Sequence, residues 1–420
     1  MKFKIYKRHW LFSIAYFVSL EILLLNQINE LPMPDLLRKV KYPYVFFVFL
    51  LVLFNARVKR GIKAALLVIT LLITHNILFG YVFVNDLVAI HIADNASQML
   101  WFLLFVLVTF LYVSQNNFFK GFINLSFYAC GLQLLIGLLH HRNNIVNPVW
   151  ALIHAFTADI RYKNAFGFVH AGYTSNAAYL VLVLSLFFFE IYRNTEEFRK
   201  PWFWISFLTI DAIAGLELCA AAERSGIIST FMVFAVYIAF VLLRIRVERK
   251  TLWGFIVLGV IAILVLEATG TFEEIWGKSN RDLNITVNYP LFKAYGSLWT
   301  GLGFIENAAF HADRNLFPMA TSSLDMYYVY IYFSTGLLGS IMIGTALLAI
   351  TLKLVFNKKT GLNILAMGFW LSMLFFAFWQ CNMFTHRYIS SYVISTIFLC
   401  TMSNDCCLGE EECTSTELTA

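Results

Sequence analysis

Long apolar runs constrain this chain more than any other feature. They recur near residues 9–28, 42–56, 63–83, 98–114, 120–139, 176–192, 202–220, 226–243, 252–270, 337–355, 362–381 and 387–403. A run of roughly 20 residues matches the rise of an α-helix across a bilayer's hydrocarbon core. In hydrocarbon every backbone amide must bond within its own segment, which leaves the helix as the spanning form for such runs. The fold class read from this is all-α: a polytopic integral membrane bundle of about 12 transmembrane helices. The 42–56 run is short and suits an interfacial segment as well as a crossing one.

Composition agrees with that reading. Of 420 residues, 60% are hydrophobic and 13% charged, against about a quarter charged in soluble domains. A soluble enzyme is excluded. The net charge of +6 is spread over short loops, so it reports topology and offers no surface to nucleic acid. The first run follows MKFKIYKRHW, carries Glu21 and lacks a small-residue cleavage site. It reads as a retained helix, not a signal peptide. Three of the seven cysteines, Cys406, Cys407 and Cys413, sit in the last 15 residues with no histidine beside them. They read as reduced thiols on a cytoplasmic tail and not as a zinc site.

Loop charge sets the orientation. Lys2, Lys4, Lys7 and Arg8 place the N-terminus in the cytoplasm. Alternation then makes RVKRGIK, SQNNFFK, IYRNTEEFRK, RIRVERK and KLVFNKKT cytoplasmic, and all five are basic. Arg38, Lys39 and Lys41 are the exception. Residues 1–403 are expected to form one transmembrane domain, and 404–420 a disordered cytoplasmic tail. The expected location is a bacterial cytoplasmic membrane, with both termini inside. Two long loops, 140–175 and 271–323, face outward and have room for short helices. Seven of the nine histidines, His91, His140, His141, His154, His170, His311 and His386, fall on or beside that face. The working surface is expected there.

Three stretches could carry chemistry. In LCAAAERSGIISTF, the charged pair Glu223–Arg224 interrupts two apolar runs where little loop exists to solvate it. A boundary ion pair is the plain explanation. Ionisable groups at such depth, however, usually face a cavity or a ligand, and Ser225-Gly226 opens a helix whose amides favour an anion. In ADIRYKNAFGFVHAGYTSNAAYLVL, Arg161, Lys163, His170 and Asn176 precede a span, with Ser175 or Asn176 as its expected cap. The polar stretch from Thr271 to Asp325 supplies Lys278, Arg281, Lys293, His311 and Arg314. Asp325 opens an aromatic helix expected to break at Gly336. For Asp325 the plain reading is an N-cap, and for the tyrosines after it an interfacial belt. The sequence has no P-loop, no HExxH, no GxSxG and no Asp-x-Asp pair in an outward loop. No metal and no soluble cofactor are expected.

In order and sidedness these segments resemble the Wzy-type polysaccharide polymerases and the related O-antigen ligases, multi-span bacterial glycosyltransferases. KNAFGFVHAGYTSNAAYL is similar to the family's Gly-Phe-x-His-x-Asn region. ERSGIIST resembles its Ser-Arg turn, with Arg224 at the arginine. WTGLGF and SSLDMYYVYIYFSTGLLG resemble its Gly-x-Gly-Phe segment and a later Gly-Leu-Leu-Gly helix. The likeness spans roughly residues 160 to 345. Glu223 stands where the family often has Ser, and the His170 to Asn176 spacing is long. Leu324-Asp325 replaces a His-Asn pair typical of the ligases, which favours a polymerase.

The resemblance implies an inverting, metal-independent transfer on the outer leaflet. Oligosaccharide repeat units linked through pyrophosphate to undecaprenyl would be polymerised into capsule, exopolysaccharide or O-antigen. A chain-length regulator and a flippase are the implied partners. Cations must then meet the diphosphate leaving group: Arg224, Arg161 and Arg281 first, with Lys163 and Arg314 behind them. An acceptor hydroxyl needs a base within reach, with Asp325 ranked narrowly above His311 and His170. A ligase moving the same glycans is the nearest alternative. A 12-helix transporter or flippase is the more distant one, and it would be expected to show related halves.

Overall fold

The computed structural model describes residues 9–25, 102–141, 147–157, 163–166, 168, 170–243, 326–356, 360–380 and 388–403, with isolated positions between 261 and 301 and at Met383. Among these the regular elements are all helices, and bridge positions are isolated, with Ser297 pairing Gly301. The helices are α1 (Trp10–Leu25), α2 (Phe102–Gln115), α3 (Phe119–His140), α4 (Pro148–Thr157), α5 (Ala171–Tyr192), α6 (Pro201–Ala221), α7 (Arg224–Tyr237), α8 (Tyr327–Phe356), α9 (Gly361–Ala377) and α10 (Ile389–Met402). A π-turn over Ile238–Leu242 prolongs α7. Five of the described helices, α3, α5, α6, prolonged α7 and α8, are long and apolar enough to cross a membrane. Four shorter apolar helices (α1, α2, α9 and α10) accompany them. The protein is thus a helical membrane protein. The expected runs at 42–56, 63–83 and 252–270 lie outside the described residues, save Ile261.

Helix α5 is the axis of the bundle. It packs against α3, α6, α7, α9 and α10, and nearly its whole length is buried. Lipid tails are as apolar as leucine, so close packing and interhelical hydrogen bonds hold such a bundle together. The sequence supplies both. Gly226 of α7 leaves space filled by Ser175 of α5, whose Oγ would lie 2.0 Å from a Cβ there. Gly368 of α9 likewise admits Val236 of α7. The Tyr179 hydroxyl of α5 bonds Ser372 of α9, and Tyr328 of α8 donates to the Leu374 carbonyl at 3.1 Å. Each such bond contributes about 0.6 kcal/mol on average in a membrane.

One of two expected boundaries shifts. The cap of α5 is His170, not Ser175 or Asn176: its Nδ1 accepts from the Gly172 amide at 3.0 Å. Ser175 and Asn176 are carried into the buried helix because Ala171, Gly172 and Tyr173 are compatible with a helical turn and leave no earlier break. Helix α8 begins at Tyr327, beside the expected aromatic-helix start at Asp325, and runs on into the expected span. It does break at Gly336, which takes φ 63° and ψ −163°. The amides after this break find new acceptors: Leu337 donates to the Leu298 carbonyl at 2.9 Å and Leu338 to that of Trp299 at 3.1 Å. A short turn from the polar stretch is thereby bonded onto the kink.

Candidate functional site

One end of the bundle gathers the polar groups. The C-terminal ends of α3, α6 and α9 meet there with the N-terminal ends of α5, α7, α8 and α10. The segment before α5 is pinned over them. Asn164 donates its amide to the Ala220 carbonyl at 3.1 Å and accepts the Phe166 amide on its side chain at 2.9 Å. The Thr174 hydroxyl donates to the Ala165 carbonyl at 2.6 Å, and the Phe168 amide reaches the same oxygen at 2.8 Å. Phe166 takes a positive φ of 45° to turn the chain.

This places three sequence candidates together. Lys163 Nζ lies 2.5 Å from Glu223 Oε1. Glu223 is therefore paired from a segment 60 residues earlier. Such partly exposed pairs contribute at most about 1 kcal/mol, so this one serves to position the loop more than to stabilise it. Arg224 is the first residue of α7 and stays exposed, while its Nε donates to the Ala155 carbonyl of α4. That bond fixes the root of the guanidinium at the junction of α4 and α7. The helix opens at Arg224, one residue before the expected Ser225-Gly226 start. His170 is exposed at the N-terminus of α5. Because Nδ1 accepts the capping bond, a neutral ring carries its proton on Nε2. In this geometry Nε2 of a neutral His170 is a donor; to act as a base the ring would have to give up the cap.

Sequence alone did not resolve α4 within the 140–175 loop. Its Ala151 and Ala155 are buried against α6, while Val149, Trp150, Ile153 and Phe156 are exposed. The spacing of these residues puts the small alanines on the packed face and the bulky apolar side chains on the exposed one. Nor did sequence anticipate that the Ser297–Gly301 turn, which overlaps WTGLGF, docks on the Gly336 break of STGLLG. A Cβ at Gly301 would meet Ser334 and Gly336 backbone atoms at 2.5 to 2.6 Å, so that contact requires glycine. Two segments of the resemblance thus touch each other. Arg161, Arg281, Arg314, His311 and Asp325 lie outside the described residues.

No protein-family model matches this chain, and no curated protein matches it. What the site does chemically is read from its own groups. Among the described residues, no three His, Cys, Asp or Glu side chains cluster as a metal would need. The end of the bundle instead presents an arginine at a helix N-terminus, an imidazole N–H and a lysine–glutamate pair, a set suited to anionic or hydroxyl-rich ligands.

Proposed function

We propose that the protein is a membrane glycosyltransferase that polymerises undecaprenyl-pyrophosphate-linked oligosaccharide repeat units. The observation that carries the reading is the convergence of Lys163 and His170, from one segment of the resemblance, with Arg224, from another, at one end of the bundle. That end is the one loop charge assigns to the outer face.

In the transfer, an acceptor sugar hydroxyl attacks the anomeric carbon of the donor from the side opposite the leaving group. The new C–O bond forms as the bond to the pyrophosphate breaks, and the lipid pyrophosphate departs with the electron pair. The hydroxyl proton passes to a base, for which Asp325 stands first and His311 second. His170 at Nε2 hydrogen-bonds a sugar oxygen as donor. Arg224, set at the positive end of the α7 dipole, meets the charge on the departing pyrophosphate. Arg161 and Arg281 share that task, with Lys163 and Arg314 behind them. No soluble cofactor enters the balance.

The test uses the purified full chain in lipid nanodiscs, given lipid-linked repeat units without divalent metal or nucleotide. Ladders of increasing chain length are expected. Transfer to a different acceptor without ladders would favour the ligase reading. In liposomes, movement of intact units between leaflets without new glycosidic bonds would favour a flippase.

A further inference from the structure

We propose that the junction of α5, α9 and α10 holds a sugar ring of the glycan, bound by Gln380 and Tyr388 beside His170. The proposal rests on the glycosyltransferase reading above and adds a subsite that recognises the sugar and not the pyrophosphate. Gln380 follows α9, and its backbone amide still donates to the Phe376 carbonyl at 2.9 Å. That path delivers its side chain to the first turn of α5. A Cβ built on Gly172 would stand 3.0 Å from His170 Nδ1 and 3.3 Å from Gln380 Nε2. The imidazole and the amide are therefore neighbours, and glycine makes room for both. Gln380 is 9% exposed, and its Oε1 accepts no hydrogen bond among the described residues. Asn176 lies one turn along α5 from Gly172, on the same face. It is 1% exposed and is also without a partner at both amide atoms among the described residues. Buried polar atoms left in this state cost stability.

The neighbours say what ligand fits. A sugar ring presents hydroxyls that both donate and accept, and a face of C–H bonds. The Nε2–H of a neutral His170 is a donor and Gln380 Oε1 an acceptor. One hydroxyl can accept from the first while it donates to the second. Two aromatic rings stand beside this pair. Tyr173, in the first turn of α5, and Tyr388, which precedes α10, have ring centroids 4.8 Å apart and planes 33° apart. Both are half-buried, so each keeps part of its ring for a C–H face. An anion would meet the Gln380 acceptor with charge of the same sign. A hydrocarbon chain would leave that acceptor without a donor. A sugar satisfies the acceptor and covers the rings. Its seat next to His170 then decides which hydroxyl of the repeat unit stands near the transfer, which makes Gln380 and Tyr388 specificity-determining residues.

The probe is the repeat-unit oligosaccharide, freed from its lipid pyrophosphate by mild acid. It is titrated to millimolar concentration into the purified full chain in nanodiscs and followed by saturation-transfer NMR. The wild type should bind it. Gln380→Ala should weaken binding about tenfold, and Tyr388→Ala about fivefold. Inorganic pyrophosphate, which the reading places at Arg224, should not displace the sugar. Where Gln380→Ala fails to fold, Tyr388→Ala decides in its place. The proposal is overturned by a wild type that does not bind, which would leave a water at Gln380. Wild-type affinity in the deciding variant, or displacement by pyrophosphate, overturns it equally. The ladder assay above separates this result from the reading beneath it. Ladders with unchanged binding in Gln380→Ala remove the subsite and keep the polymerase. Binding that depends on Gln380, without ladders, keeps the subsite and removes the polymerase.

Discussion

Arg224 concentrates the chemistry of the proposed site in one side chain. It is exposed, it begins a helix, and its Nε is fixed by the Ala155 carbonyl. Losing that bond from an exposed residue costs about 1 kcal/mol, too little to remove the protein from the membrane. Arg224→Ala should therefore abolish long-chain polysaccharide while membrane levels hold, as read by gel profile and immunoblot. Arg224→Lys keeps the charge but not the planar fork, and should yield short chains. Wild-type lengths from the alanine variant would take Arg224 out of the site. Arg224 and His170 were legible in the sequence because ionisable letters stand out against apolar runs.

At the scale of elements, the break in α8 shows how a sequence signal can be half readable. Glycine at position 336 announces a helix break, and the structure has one. What the break is for depends on the Ser297–Gly301 turn, which supplies acceptors at Leu298 and Trp299 from about 40 residues earlier. Backbone bonding between distant segments leaves no periodicity to detect. The turn depends on Gly301, whose φ is 72° and whose Cβ position is occupied by the α8 backbone. Gly301→Ala meets both left-handed strain and a clash with atoms that cannot rotate away, a cost on the order of 1–3 kcal/mol or more. It should lower the unfolding midpoint and the rate of chain growth together. Gly215→Ala in α6 is the matched control, because nothing lies within 4 Å of a Cβ there and alanine is the better helix former. Equal behaviour of the two variants would mean that the turn is not docked in solution.

For the whole molecule, apolar length found the helices and loop charge predicts their direction. Nine of the expected runs coincide with described helices, because a bilayer imposes length and hydropathy whatever the packing. Packing itself was not readable: all the runs look alike in composition, yet α5 is central. The two ends of the bundle differ in charge, and the proposed orientation rests on that difference. At one end stand His140, His154, His170 and Arg224. At the other stand Lys120, Arg193, Arg199, Lys200 and Lys353, with Glu190 paired to Arg193 at 2.8 Å. Lys163 also stands at the first end, but the denser positive charge at the second is what the positive-inside rule expects of a cytoplasmic side, and on the proposed orientation lipid-linked glycans would be joined at the first. Single cysteines at Val149 and Asn194, both exposed and at opposite ends, test this once the seven native cysteines are replaced by alanine. A membrane-impermeant maleimide should label Val149→Cys in intact cells and Asn194→Cys only after permeabilisation. The reverse pattern would turn the bundle over, bring Arg224 to the cytoplasm and remove outer-leaflet polymerisation along with it. Labelling of both in intact cells would contradict the crossing of α5, since these positions flank its two ends.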